Sequence, residues 1–335
     1  MSMAITIKDI ANKAGLSPAS VSRILTNRGR FNEDTAIRVR ELAHSMGYLK
    51  NQSAADLSQQ KSRIIGILVP IEHTNFADEI IKGMQNKAHE FGYELLITFI
   101  DVNESQQIQT VQSLLSRQIL AIFMLAIDMS PAVFKLLINS KVQLLSISNQ
   151  LDSQIPSISS DNYVMMKKIV DYLVSHGHKK IALIGSSSQF PIVAQLRRQG
   201  FIDGLAAHGI SYNPDFIWGT TLSYQTGLET IKHFGLPLPF TAAIGSADII
   251  SIGLLNSAKD ANLDIPNDLS IISIDGTELT QITRPVLTTI QQNFQLMGEL
   301  AITTLHENKF TEEKVIFTKT KIVPGKTVAI NYESI

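Results

Sequence analysis

The chain has no cysteine and one tryptophan. Without cysteine there is no disulfide framework, no thiolate nucleophile and no cysteine-based metal site. No run of about 18 apolar residues occurs, so no membrane span is expected. The start lacks a positively charged segment followed by a long apolar stretch, and no secretory signal is read there. The sequons Asn51-Gln52-Ser53 and Asn103-Glu104-Ser105 are therefore without meaning. No two glycines stand in a Gly-x-Gly spacing, which removes the dinucleotide fingerprint. A Walker loop, a His-Glu-x-x-His zinc helix and a Gly-x-Ser-x-Gly elbow are also missing. His176 and His178 flank Gly177 at a predicted helix end. Interaction with the helix dipole is the reading there, rather than a metal pair. These absences describe a soluble cytoplasmic protein, not an enzyme, with no cofactor and no metal.

What is present begins at residue 5. Thr6 caps a first helix whose apolar positions Ile7, Ile10, Ala11 and Ala14 share one face. Gly15 stops it, because a residue without Cβ adopts the left-handed conformation cheaply. Ser17 caps a second helix, with Pro18 at the first position, where its missing N–H costs nothing. Val21, Ile24 and Leu25 face inward, leaving Ser17, Ala19, Ser20, Ser22 and Arg23 outside. A third helix begins near Asn32, carries Glu33 and Asp34 in its first turn and runs to Gly47, with Tyr48 closing the core. This pattern is a helix-turn-helix, whose second helix reads the major groove. Small outward side chains allow close approach to base edges, and Arg23 can pair with guanine or clamp a phosphate. Residues 1–61 hold nine Lys and Arg against five Asp and Glu, a net +4, while the whole chain is −1. A basic head on an acidic body is an electrostatic footprint for nucleic acid. A helical hairpin used only for packing is the duller alternative.

After Ser62 apolar runs alternate with helix-length segments. The runs are Ile64–Val69, Leu95–Phe99, Leu120–Leu125, Leu144–Ile147, Ile181–Ile184, Ala242–Gly245 and Ile271–Ile274. Among the helical segments are Asp78–Phe91, Gln106–Ser116, Tyr163–His176, Ile192–His208 and Ile249–Ala261. Nearly all-apolar strands between helices predict parallel sheets covered on both faces. Roughly 270 residues exceed one core, so two lobes are expected. Ligands of such sheets lie beyond the carboxyl ends of the strands. Polar residues follow several runs: Glu72 to Asn75 with Phe76, Ser148 and Asn149, Ser186 to Ser188, Ser246 with Asp248, and Asp275. Hydroxyls, amides and carboxylates with an aromatic face suit a neutral polyhydroxy ligand.

The run Thr6-Ile7-Lys8-Asp9-Ile10-Ala11, then Ala14-Gly15-Leu16-Ser17 and Val21-Ser22-Arg23, resembles the lactose-repressor/galactose-repressor (LacI/GalR) family of bacterial transcription regulators. The likeness continues through Gly47-Tyr48, Ile65-Gly66-Ile67, Ser160-Asp161-Asn162, Gly177 to Ala182 and Leu287-Thr288-Thr289-Ile290, nearly the whole chain. It implies a helix-turn-helix DNA-binding head over residues 1–50 and a hinge over 51–62 that becomes helical on DNA. It also implies an effector-binding and dimerisation body over 63–335, made of two doubly wound parallel-sheet lobes of periplasmic-binding-protein type. The N-lobe takes about 63–160 and 291–320, the C-lobe about 161–290 and 321–335. The DNA-contacting set it implies is Thr6, Ser17, Pro18, Ala19, Ser20, Ser22, Arg23 and Asn27, with Leu57 wedged into the minor groove. Asp56 departs from the neutral or basic residue usual beside that leucine. The effector-contacting set is Phe76, Asp161, Arg197, Leu222, Asp248 and Asp275.

Four of these have a competing structural role: Phe76 in the core, Arg197 on the surface, Asp248 as a helix cap, Asp275 in an Asp-Gly-Thr turn. Ala247, Leu222 and Ser148 stand where the family often has more polar or aromatic residues, with Trp218 and Tyr224 nearby. No heptad tail follows Pro324-Gly325-Lys326-Thr327, so a homodimer on double-stranded operator DNA is expected rather than a tetramer. The function implied is a repressor of a carbohydrate-utilisation operon, released by a sugar effector. The alternative is a corepressor-activated regulator answering to a purine-type ligand or a phosphoprotein. A transport sugar-binding protein would need an export signal and no basic head; a sugar kinase would need a phosphate loop.

Overall fold

The computed structural model describes residues 5–27, 29–48, 62–71, 75–151, 154–186, 191–309 and 314–332. The chain divides into two compact units, Met1–Ser62 and Arg63–Ile335. The first holds α1 (Ile7–Ala14), α2 (Pro18–Leu25) and α3 (Glu33–Ser45). Ile10, Ala11, Val21, Ile24, Ala36, Val39 and Ala43 form its buried core, with Leu25 and Tyr48 packed against it. The helix ends follow the cap residues. Thr6 accepts from the Asp9 N–H, Gly15 is left-handed at φ 67°, and Ser17 and Asn32 cap α2 and α3.

The second unit contains two six-stranded sheets among the described residues. The first lobe runs β1 (Ile64–Pro70), α4 (Ala77–Phe91), β2 (Glu94–Ile100), α5 (Glu104–Leu115), β3 (Ala121–Leu125), α6 (Pro131–Asn139), β4 (Gln143–Ile147) and β5 (Ser157–Ser160). The chain then builds the second lobe with α7 (Asn162–Ser175), β6 (Ile181–Ile184), α8 (Pro191–Ala207), β7 (Ile217–Trp218), α9 (Tyr224–Phe234), β8 (Ala242–Gly245), α10 (Asp248–Asp260), β9 (Ser270–Asp275), α11 (Leu279–Ile282) and β10 (Thr288–Gln291). It returns as α12 (Phe294–His306) and β11 (Val315–Thr318), then crosses back as β12 (Lys321–Val323). The first sheet is ordered β11-β5-β4-β3-β1-β2, all parallel. The second is ordered β12-β10-β9-β8-β6-β7, parallel except for β12.

Each sheet is covered by helices whose apolar faces share its core. Ile65, Ile67, Phe123 and Ile147 meet Ile80, Met84, Phe294 and Met297 in the first lobe. α4 and α12 cross at two glycines: a Cβ at Gly83 would strike the Gln295 backbone, and one at Gly298 the Ile80 backbone. Two sequence readings need refinement. β5 is Ser-Ile-Ser-Ser yet buried at all four positions. Its backbone is paired to β4 and β11 on both sides, and that pairing, not apolar composition, holds it in place. β2 is an edge strand, so its apolar run is not covered on both faces; Ile97 and Phe99 are exposed.

Candidate functional site

In the small unit, α2 presents Ser17, Pro18, Ala19 and Arg23 to solvent, with Ser20 and Ser22 half-buried. Ser17 Oγ accepts from the Ser20 N–H at 3.1 Å, and the two hydroxyls lie 2.9 Å apart. Arg23 Nη2 donates to Ser20 Oγ at 3.5 Å, the long limit of a hydrogen bond. The serines thus fix the start of the helix as well as facing outward. Thr6 is a capping-box residue. Its hydroxyl donates to Asp9 Oδ2 at 2.7 Å, and its N–H donates to the same oxygen at 2.8 Å. Those bonds hold the Asp9 carboxyl below its ordinary pKa. Asn27, exposed and left-handed at φ 55°, ends the α2 turn and accepts from Arg40 Nη2 at 3.2 Å. Leu57 and Asp56 lie outside the described residues.

In the large unit, each sheet changes direction at one point. In the first, β1 is followed by β2 on one side and flanked by β3 on the other; in the second, β6 sits between β7 and β8. Such switch points place a crevice at the carboxyl ends of the flanking strands. A cavity of about 500 Å³ opens beyond β1, β2 and β3. A tight hollow of about 20 Å³ lies beside β6 and β8, lined by Gly185, Ser186, Arg197, Leu222 and Ser246 among others.

Arg197 lines the hollow, and the charge of Asp275 acts on it. Arg197 Nε donates to Asn162 Oδ1 at 2.8 Å and Nη1 to the Ser246 carbonyl at 2.7 Å. Burial lowers the Arg197 pKa, opposed by the charge of Asp275. Asp275 closes β9 with φ 110°, a left-handed position for a residue with Cβ. Its Oδ1 accepts from Gln292 Nε2 at 2.8 Å. Burial and then the nearby Asp248 push the Asp275 carboxyl up to about 8, with Arg197 and Gln292 opposing.

Asp248 is also buried, and burial raises its pKa. Yet four donors converge on it: Ser273 Oγ and the Gly276 N–H on Oδ1, and the Thr277 N–H and hydroxyl, both at 2.7 Å, on Oδ2. That donor set suits a carboxylate and uses both oxygens on the protein itself. Asp248 therefore ties the loop after β9 to the start of α10. Asp161 caps α7 by accepting from the Val164 N–H at 3.0 Å; its neighbour Asn162 is the residue that meets Arg197. Phe76 stacks on Phe294 with centroids 4.5 Å apart, and the pair packs on the first lobe's core. Leu222 reaches the hollow beside Arg197.

The nearby aromatics are committed elsewhere: Trp218 stacks on His233 at 3.6 Å, and Tyr224 OH accepts from Asn256. Sequence reasoning passed over Gln292 and the lining of the larger cavity. Gln292 sits one residue past β10, where only the register of that strand against β9 reveals its partner. Glu79 on α4 is half-buried, and its pKa is raised by burial, then by the charges of Asp78, Asp248 and Glu278, with Lys82 opposing. His176 Nδ1 lies 2.8 Å from the Tyr172 carbonyl. His178, its pKa lowered by burial, sits 2.9 Å from Thr241 Oγ1 and 3.2 Å from the Ala329 carbonyl. No group of metal-ligating side chains occurs among the described residues.

Residues 6–51 match the model of bacterial regulatory proteins of the lacI family, and residues 170–328 match that of the periplasmic binding protein-like domain. The HTH-type transcriptional repressor CytR of Escherichia coli K12 is 31% identical over 89% of this chain and 88% of its own length. The catabolite control protein A of Priestia megaterium is 27% identical over 94% of this chain and 96% of its own. Among solved structures, the CCPA regulator of Weissella paramesenteroides with bound glucose superposes with TM-score 0.75 and 38% identity, covering 80% of this chain and 99% of that one. The lac repressor dimer bound to operator, at 22% identity, shares the fold with TM-score 0.86 over 98% of this chain and 100% of that one.

Proposed function

We propose, on the premise that this chain belongs to the lacI family of bacterial regulatory proteins, that it represses a carbohydrate-utilisation operon and leaves its operator when a sugar or sugar-derived effector binds. The chain is a ligand-responsive DNA-binding regulator of transcription. The carrying observation is the presence, in one polypeptide, of a capped reading helix and of switch-point crevices in a separate body. In this reading residues 1–50 read DNA, 51–62 form the hinge and 63–335 sense the effector. The protein works in the cytoplasm and catalyses no reaction. Glucose bound to the Weissella regulator supports the sugar assignment. So does the chemistry here: a guanidinium and a carboxyl near each other, with the Gln292 amide beside Asp275, pair well with adjacent hydroxyls.

One helix-turn-helix of this size rarely suffices, and two related by a two-fold axis read a palindrome. Exposed Ile97 and Phe99 on the β2 edge and exposed Ile282 on α11 are among the apolar side chains available to a second copy. A mobility-shift assay with a palindromic site tests the reader. Arg23→Ala is expected to weaken specific binding by roughly 10- to 100-fold, the worth of one good base contact, with folding intact. Specific affinity equal to wild type would remove Arg23 from the reading face. Thermal-shift screening of sugars tests the sensor.

A further inference from the structure

Three passages of the chain join the lobes: β5 to α7, β10 to α12, and β11 to β12. In the first, a single residue, Asp161, stands between Ser160 at the end of β5 and Asn162 at the start of α7. A turn of one lobe against the other is absorbed by a few residues at such element ends. Asn162 holds this passage with both ends of its amide. Its Nδ2 donates to the Ser160 carbonyl at 3.1 Å, spanning Asp161, and its Oδ1 accepts from Arg197 Nε at 2.8 Å. Arg197 Nη1 donates in turn to the Ser246 carbonyl, just past β8, at 2.7 Å. A continuous series of bonds therefore runs from the last residue of a first-lobe strand to the second-lobe sheet. Ser160, Asn162 and Ser246 are buried, and a buried polar group that loses its partner is costly. The partners dictate the residue type. A guanidinium only donates and a carbonyl only accepts, so the side chain between them must offer one acceptor and one donor. Asparagine does both; aspartate would satisfy Arg197 but turn a second acceptor toward the Ser160 carbonyl. The other passages are held differently. Gln292, one residue past β10, donates to Asp275 through its N–H at 2.9 Å and its Nε2 at 2.8 Å. The third passage carries an exposed bond of 3.4 Å from Lys168 Nζ to the Thr320 carbonyl. Asn162 differs from both in gripping the two sides of its own passage.

We propose that Asn162 is a positioning residue for operator recognition: it clamps the β5–α7 passage to Arg197 and so fixes the angle between the lobes on which operator affinity depends. The clamp acts on the ligand-free protein, and it does not depend on the effector being a sugar.

The chain has no cysteine, so spin labels attach at chosen sites alone: Asn86→Cys on α4 and Lys232→Cys on α9, both exposed and one on each lobe. Double electron–electron resonance on the labelled full chain, without ligand, then reads the distance between the lobes. Asn162→Ala and Asn162→Asp are each expected to broaden or displace the distance distribution of the labelled parent. Each is also expected to change affinity for the palindromic site by at least about fivefold in a mobility-shift assay. Lys168→Ala, which cuts the exposed bond of the third passage, is expected to leave both readouts as in the parent. Asn162→Asp keeps the acceptor for Arg197 and loses only the donor to Ser160, so it decides the matter if Asn162→Ala fails to fold. A residue that merely starts α7 would lower the thermal midpoint and leave the distribution unmoved; that result overturns the clamp. A displaced distribution with unchanged operator affinity overturns the role in operator recognition. A shift in Lys168→Ala as large as that in Asn162→Ala overturns the assignment to Asn162.

Discussion

Asp275 is a buried carboxyl whose protonation is tied to the fold. In the unfolded chain it ionises near pH 4; in the folded protein it keeps its proton to about 8. Between those limits the native state binds more protons than the unfolded state, so stability falls as pH rises. The contribution is complete below about pH 4 and lost above about pH 8. Asp275→Asn has no such proton to lose. The difference in thermal midpoint, variant minus wild type, is therefore expected to grow across this window, measured by calorimetry in matched buffers. A difference independent of pH would show that Asp275 ionises normally. Of the effector candidates named from the sequence, Arg197 and Leu222 line the hollow at β6 and β8, and Asp275 lies near enough to Arg197 to act on its charge. Both oxygens of Asp248 are taken by backbone and hydroxyl donors, and Asp161 Oδ1 accepts the Val164 N–H. A capping aspartate and a ligand-binding aspartate look alike in sequence, because both follow a strand and precede a helix.

At the scale of elements, the reading helix depends on its neighbour. Arg40 on α3 donates to Asn27 Oδ1 at 3.2 Å and to Glu33 Oε1 at 3.3 Å, and lies 5.9 Å from the Phe31 ring centroid. Arg40 therefore pins the left-handed corner after α2. The exposed ion pair itself is worth about 0–1 kcal/mol, so Arg40→Met is expected to leave thermal stability nearly unchanged. Operator affinity is expected to fall severalfold while the dependence of binding on salt keeps its slope. A slope lower by about one would instead make Arg40 a phosphate contact. The three helices of the head were legible because every start carries a cap, Thr6, Ser17-Pro18 and Asn32, and Gly15 stops the first. The apolar strands of the body were legible for the same kind of reason. β5 and β10, rich in serine and threonine, were not, since long-range pairing buries them. The cavity beyond β1, β2 and β3 was hidden too: strand order, which sequence does not state, brings the ends of three separate strands together.

For the whole molecule, two couplings matter: copy to copy, and crevice to DNA. Phe99 is 63% exposed on an edge strand, an arrangement that invites pairing unless it is covered. Phe99→Lys is expected to shift the protein toward monomer in analytical ultracentrifugation and to weaken binding to a palindrome far more than to a half-site. An unchanged dimer would place the interface elsewhere. Effector control requires only that ligand affinity differ between the DNA-competent and released arrangements, and about 1–3 kcal/mol of difference changes occupancy 5- to 150-fold. The most direct measurement is operator affinity of the full-length protein, titrated with and without a ligand that raises its thermal midpoint. The expected result is a ligand-dependent change of at least about fivefold, abolished in Asp275→Asn while ligand-free operator affinity stays intact. A ligand that saturates the body and leaves operator affinity unchanged would contradict the coupling.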